Sequence, residues 1–249
     1  YTPGTSIGQG EGHRDQITIR GQNTTADFFI DGLRDDVQYF RPLYNLEQVE
    51  VIRGSNALIF GRGGGGGVIN RVTKSAKIGE NFGTALAGID TFGAYNINSD
   101  INLAIEDRFG FRLNAFYEQL NNHRNEFNGE RFAINPTFTA EFTPETKVKI
   151  SYEYVNDDRV VDRGVPSLNG VPLRGFDNTF FGDPDLNLTT FQAHIARGQI
   201  EHSFSDRLSF NATVQYADYD KLYQNLFPIG FDQDAGDVSL DGYRDETGR

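Results

Sequence analysis

Phe132-Ala133-Ile134-Asn135-Pro136-Thr137-Phe138-Thr139-Ala140-Glu141-Phe142 decides the fold: its even positions are apolar and its odd ones mostly polar. Strict period-two alternation sends successive side chains to opposite faces of a strand, one facing an apolar medium and the other a polar one. The pattern recurs with Val148, Ile150, Tyr152 and Tyr154 against Lys147, Lys149, Ser151 and Glu153. It recurs again with Leu208, Phe210, Ala212, Val214 and Tyr216 against Ser209, Asn211, Thr213 and Gln215, and earlier in Phe109–Tyr117.

The links between these strands alternate too. Glu106-Asp107-Arg108, Thr143-Pro144-Glu145-Thr146 and Ser205-Asp206-Arg207 are tight turns, while long loops are expected over roughly 157–190 and after Asp220. Short turns at one rim and long loops at the other match an outer-membrane barrel. A soluble β-sandwich also alternates. The barrel is favoured by charges on the polar face (Arg112, Glu118, Arg131, Glu141, Glu153) and by strand-end aromatics (Tyr117, Phe142, Tyr154, Tyr216) suited to interface girdles. About seven such strands are expected. No run approaches the ~20 apolar residues of a membrane helix.

Ahead of them, residues 1–77 read differently. They hold nine Lys/Arg and eight Asp/Glu, leaving 14 and 27 for the remainder, so this part carries +1 and the residues beyond Lys77 carry -13. Short β-like runs (Gln16–Arg20, Asp27–Ile30, Val49–Ile52, Val68–Val72) alternate with glycine turns, and one short helix is expected over Ser55–Phe60. This describes a small α+β unit at 1–77, followed by an all-β part at 78–249. The chain has no Met, so Tyr1 is expected to be an internal position of a longer or processed protein, and the polar end Asp245–Arg249 is read as a turn with no strand completed.

Several chemistries are excluded. The absence of Cys removes disulfides and thiolate sites, and the acidic balance argues against nucleic acid as a partner. Gly61–Gly67 contains a formal G-x-G-x-x-G, but a β-type run follows it rather than a helix, so it is read as a tight turn with close backbone approach. The four His lack metal-ligand spacing. Asp183-Pro184-Asp185 and Asp232–Asp237 offer oxygens to Ca²⁺ without the full loop pattern and are read as acidic loops, so no metal site is expected. No catalytic constellation is found, and an enzyme is not expected.

Leu46-Glu47-Gln48-Val49-Glu50-Val51-Ile52-Arg53-Gly54-Ser55-Asn56-Ala57-Leu58-Ile59-Phe60-Gly61, running on through the glycines to Val68-Ile69-Asn70-Arg71-Val72-Thr73-Lys74, resembles the plug signature of TonB-dependent outer-membrane siderophore receptors. Ile19-Arg20-Gly21 followed by Phe29-Ile30-Asp31-Gly32 resembles it in the same order and spacing. Pro136, Thr143–Thr146, Arg163-Gly164-Val165-Pro166 and Phe181–Asp185 resemble the early barrel and third extracellular loop. Gln48 and Gln22 depart from the common pattern, the latter bearing on ligand preference.

The resemblance implies a fragment of a 22-stranded plugged barrel in the outer membrane of a Gram-negative bacterium, with the plug's N-terminal part and most barrel strands outside these residues. It implies import of a ferric siderophore, leaning to the catecholate type, as transported ligand rather than cofactor, driven by proton-motive force through the TonB–ExbB–ExbD complex. The same architecture also imports cobalamin, haem or oligosaccharides; a soluble β-rich binding module and a receptor with an added signalling domain are the other readings. Arg20 and Arg53 match plug arginines that lock onto barrel glutamates. Arg34, Tyr39, Phe40 and Arg41 in the loop after Gly32, and Arg163 and Arg174 in the third loop, are the expected ligand contacts. Lipid and lipopolysaccharide are the expected surroundings, the acidic loops fitting a Ca²⁺-bridged lipopolysaccharide contact equally well.

The alternation predicts that Phe111, Leu113, Phe132, Phe138 and Tyr152 face lipid while Arg112, Asn114, Asn135 and Ser151 face the lumen, so cysteines at the first set should react less readily with a membrane-impermeant thiol reagent than those at the second. Equal labelling of the two sets would contradict a membrane-facing side.

Overall fold

The computed structural model describes residues 3–54, 60 and 66–248. The chain divides into two compact units, Tyr1–Lys74 and Ser75–Arg249. The short helix expected over Ser55–Phe60 and most of the glycine run lie outside the described residues.

Among the described residues the first unit contains seven short strands: β1 (Thr5–Gly8), β2 (Gln16–Ile19), β3 (Gln22–Thr24), β4 (Phe28–Ile30), β5 (Leu33–Arg34), β6 (Leu46–Ile52) and β7 (Val68–Thr73). They form a three-stranded sheet β1-β2-β3 and a four-stranded sheet β5-β4-β7-β6, in which β4 and β7 run parallel. Two hairpins share one turn. Arg20 and Gly21 link β2 to β3 at φ 51° and 80°, and Asp31 and Gly32 link β4 to β5 at 49° and 80°. Two consecutive left-handed residues give the I′ turn whose twist suits a two-residue hairpin. Ile17 and Ile19 of β2 pack on Phe28 and Ile69, and behind them Phe29 and Val68 pack with Ile52 and Phe60. Gly66 and Gly67 permit the close approach expected of the glycine run: a Cβ would lie 2.2 Å from the Ile19 carbonyl oxygen at Gly66 and 2.6 Å from that of Ile52 at Gly67.

The second unit is dominated by an antiparallel meander. Its elements are β8 (Phe82–Ile89), β9 (Tyr95–Ile105), β10 (Phe109–Asn121), β11 (Asn128–Thr143), β12 (Thr146–Val160), the small hairpin β13 (Ser167–Leu168) and β14 (Val171–Pro172), then β15 (Leu188–Ser205), β16 (Leu208–Asp232) and β17 (Asp237–Gly248). The sheet order is β8-β9-β10-β11-β12-β15-β16-β17, which is eight strands rather than about seven. Two sequence expectations fail here. No loop opens after Asp220, because β16 continues to Asp232, and the polar tail is not a turn but strand β17, paired with β16 from Asp220↔Gly248 to Asp232↔Asp237. Residues 237–248 show little apolar alternation beyond Val238 and Leu240, so the sequence carries no strong strand signal there.

The meander is polar inside and apolar outside. Register places Asn102, Arg112, Thr137, Ser151, Arg197 and Gln215 in one row on one face, and Leu103, Phe111, Phe138, Ile150, Gly198 and Val214 in the adjacent row on the other. Asn114 and Asn135 are 0% exposed, whereas Ile150 is 55% and Val214 71% exposed. A soluble sheet buries its apolar face. This one exposes it, as a strand facing lipid must.

Pro136 sits within β11, a central strand, although proline cannot donate to a ladder. The pairing of β11 with β12 skips Asn135 and Pro136, and the Asn135 side-chain amide donates instead to the Tyr152 carbonyl at 2.7 Å. A buried carbonyl left without a donor costs about 1–3 kcal/mol. Asn135→Ala should therefore destabilise the folded barrel by about that amount in heat or urea unfolding, and Asn135→Ala combined with Pro136→Ala should recover most of it by restoring a backbone donor. Equal losses in the single and double variants would show that Asn135 has no such role.

Candidate functional site

In the first unit, the strands β4 and β7 and the segment after β5 converge on Asp35. Arg41 Nε donates to Asp35 Oδ2 at 2.9 Å, Arg71 Nη2 at 2.5 Å and the Tyr39 hydroxyl at 3.0 Å. Arg41 also donates to the carbonyls of Asp35, Val37 and Tyr39, and its guanidinium lies over the Phe28 ring at 4.1 Å. Asp35, Tyr39, Arg41 and Arg71 are all buried. Burial by itself raises the Asp35 pKa, but the charges of Arg41 and Arg71 and the hydrogen bonds from Arg41 and Tyr39 outweigh it and hold the carboxyl below the usual aspartate range. The neighbouring Asp31 turn is latched to β7. Asp31 accepts from the Thr73 amide and hydroxyl, and Asn70 accepts from the Gly32 amide while donating to Glu50.

Two of the expected ligand contacts, Tyr39 and Arg41, are interior groups here, both hydrogen-bonded to Asp35. Arg34 is exposed, with its guanidinium over the Phe29 ring at 5.3 Å, and Phe40 is half-buried. Arg20 projects from its hairpin turn and is exposed. Arg53 is partly exposed and donates to the Pro3 carbonyl at 2.6 Å. Among the described residues neither has a carboxylate at ion-pair distance.

In the second unit, the loop 161–187 is folded onto the ends of the strands. Asn187, fully buried, donates to the carbonyls of Val161 and Leu226 and accepts from the Leu226 amide. Arg124, from the β10–β11 connection, pairs with Asp162 at 3.0 Å and donates to the Thr179 carbonyl at 2.8 Å. Arg163 donates to the Tyr223 hydroxyl at 3.2 Å and stacks over Phe227 at 4.7 Å, while Arg174 is exposed on the loop.

Beside Arg163 lies a wall that was not singled out in the sequence. Register sets Phe191 opposite Lys221, Thr189 opposite Tyr223 and Ala193 opposite Tyr219, all on the polar face. Phe191 and Tyr219 stack at 6.1 Å, and Phe191, Tyr219, Lys221 and Tyr223 are buried. The signal was the alternation Tyr219, Lys221, Tyr223, Asn225, which continues the period of β16 with aromatic and polar groups on the inward side. Aromatic faces beside cations suit a ligand that carries rings and negative charge.

Among the described residues, no group of three or more His, Asp or Glu is arranged to hold a metal ion. The two acidic loops use carboxylates locally: Asp232 accepts from the amides of Asp234 and Ala235, and Asp183 from that of Asp185.

Residues 1–68 match the family described as TonB-dependent Receptor Plug Domain. The chain is 30% identical over 229 residues to the probable TonB-dependent siderophore receptor PiuA of Acinetobacter baumannii, covering 86% of this chain and 30% of that protein. It is 29% identical over 174 residues to the catecholate siderophore receptor Fiu of Escherichia coli, covering 70% and 22%. The crystal structure of the Acinetobacter baumannii receptor superposes with a TM-score of 0.83 at 28% identity, over 91% of this chain and 34% of that one. The open form of the Escherichia coli import receptor gives a TM-score of 0.86 at 21% identity, over 97% and 40%, a likeness of fold. The chain thus spans about a third or less of the length of the curated relatives it matches.

Replacing Asp35 by Asn would remove the carboxylate that two buried guanidinium groups share, Arg41 keeping only Asp15 at 3.5 Å, and breaking a buried pair in this way costs about 3–5 kcal/mol. Asp35→Asn should lower the unfolding midpoint of the first unit accordingly, while Tyr39→Phe costs about 1 kcal/mol. Because the folded pKa is depressed, the Asp35 contribution is fully present above the unfolded value of about 3.9 and is lost only as pH falls through the folded value. Unfolding followed between pH 7 and pH 5 should therefore show no loss traceable to Asp35; a wild-type and Asp35→Asn difference that shrinks in that range would overturn the assignment.

Proposed function

The chain belongs to the TonB-dependent receptors, proteins of the Gram-negative outer membrane, and from that premise we propose that its parent protein binds a ferric siderophore at the cell surface and imports it into the periplasm. In this reading the first unit is the plug, the second is part of the barrel wall, and the TonB–ExbB–ExbD complex supplies force from the inner-membrane proton gradient. The ligand is cargo. Nothing in the proposal requires a resident cofactor or a chemical step on the ligand.

The observation that carries the proposal is the inverted meander, whose apolar face is exposed and whose polar face is buried. It suits passage of a polar solute beside the polar face while the other contacts lipid, and a soluble β-rich binding module does not account for it. The wall formed by Phe191, Tyr219, Lys221 and Tyr223, with Arg163 beside it, supports a ferric catecholate over a neutral or purely saccharide ligand. Such a chelate presents anionic oxygens to cations and rings to ring faces. The relatives described as siderophore and catecholate siderophore receptors support the same class. Arg34, Phe40, Arg163 and Arg174 remain proposed contacts, and Arg20 and Arg53 remain proposed locks to glutamates elsewhere in the parent protein.

The test is equilibrium binding to the full-length receptor in detergent, with ferric catecholates, ferric hydroxamates, haem and cobalamin compared. Selective binding of a ferric catecholate is expected, weakened about tenfold by Lys221→Gln, or roughly 1.4 kcal/mol. Binding only to haem or cobalamin would keep the fold and remove the siderophore proposal.

A further inference from the structure

Ser75–Glu80 forms the first residues of the second unit, immediately after Lys74, and it is held by side chains of β9 and β10. Asn102, fully buried on β9, accepts from the Lys77 amide at 2.9 Å and donates to the carbonyls of Lys77 at 2.9 Å and Glu80 at 2.7 Å. Arg112 on β10 donates to the Ser75 carbonyl at 3.1 Å. Its own position is fixed by Asp100, whose two oxygens accept from Nε and Nη2 at 2.7 Å each, and by the Phe82 ring 5.1 Å beneath it. Ala76 is buried between these contacts. Gly110 completes the seat, since a Cβ there would lie 2.8 Å from the Lys77 carbonyl oxygen.

The arrangement has a mechanical consequence. β8, the first strand after this segment, lies in an antiparallel ladder with β9. Tension arriving along the chain through Lys74 would peel such a strand bond by bond if it reached Phe82. It meets Ser75–Glu80 first. There at least four hydrogen bonds, one anchored by a bidentate ion pair, divert the load into two other strands, β9 and β10.

We infer that Ser75–Glu80 is a force stop, clamped by Asn102, Arg112 and Gly110, which ends mechanical unfolding of the first unit at its last residue and keeps the barrel wall intact while the plug is pulled. The inference rests on the proposed force-driven opening of the plug, but its test does not depend on the identity of the ligand.

The experiment is single-molecule pulling of the full-length receptor in lipid vesicles, from a handle on the N-terminal side of Pro3. In the wild type, extension should arrest after the residues from Pro3 to Lys74 are drawn out, about 250 Å at ~3.5 Å per residue. Asn102→Ala, Gly110→Ala and Arg112→Lys, the last of which keeps a cation beside Asp100, should lose that arrest and run on through β8 and β9, adding about 110 Å for roughly 30 further residues. Asn187→Ala, which removes buried hydrogen bonds far along the chain from the clamp, should keep the arrest and controls for general weakening. Clamp variants that arrest at the wild-type length and force, or a wild type with no arrest at Lys74, would overturn the inference. Ferric catecholate binding, measured in parallel on the same vesicles, separates failure of the ligand proposal from failure of the clamp.

Discussion

The whole second unit depends on one constraint, that each strand keeps every backbone donor and acceptor in its ladder while sending apolar side chains outward and polar ones inward. In lipid an unpaired amide costs several kcal/mol, so long strands joined edge to edge are the available solution. The pleat then fixes the rest: once Ile150 is placed outward, Ser151 and Glu153 must point inward, and Arg197 and Gln215 follow across the sheet by register. The break in the ladder at Pro136 is repaired locally, by the Asn135 amide. The inward face is accordingly crowded with paired polar groups, such as Arg112 with Asp100 and Arg131 with Glu118.

The first unit is organised on a different principle. Its strands are three to seven residues long for the most part, too short to be stable by pairing alone, and its apolar clusters are small. Asp35 between Arg41 and Arg71 joins a loop to a strand 36 residues later. A buried ion pair of this kind gives little net stability but penalises any rearrangement that separates its members. For a unit proposed to open under force and re-form afterwards, a single well-defined closed arrangement is the useful property.

The sequence disclosed those features that repeat locally. Period-two alternation in Phe132–Phe142 and the paired turns at Arg20-Gly21 and Asp31-Gly32 could be read because a strand face and an I′ turn leave marks within a few residues. The hairpin β16–β17 could not, since Asp237–Gly248 loses its apolar alternation after Leu240 and its strand character shows only in its pairing with β16. The partners of Tyr39 and Arg41 were hidden for a related reason. A ring and a cation in a loop look the same whether they meet a ligand or a buried carboxylate, and only the distant Arg71 discloses the difference. The inward aromatic set at Tyr219, Lys221 and Tyr223 was legible as alternation, yet it fell where a loop was expected.

These features meet in a single physical scheme, a lipid-facing wall with a polar interior and a small, separately organised unit proposed to move when pulled. The measurement that tests it most directly is uptake of radiolabelled iron, presented as a ferric catecholate, by cells that carry the full-length receptor as their sole outer-membrane route. The account predicts accumulation that stops when a protonophore collapses the inner-membrane gradient, while surface binding persists. Accumulation that continues without the gradient, or no surface binding at all, would contradict it.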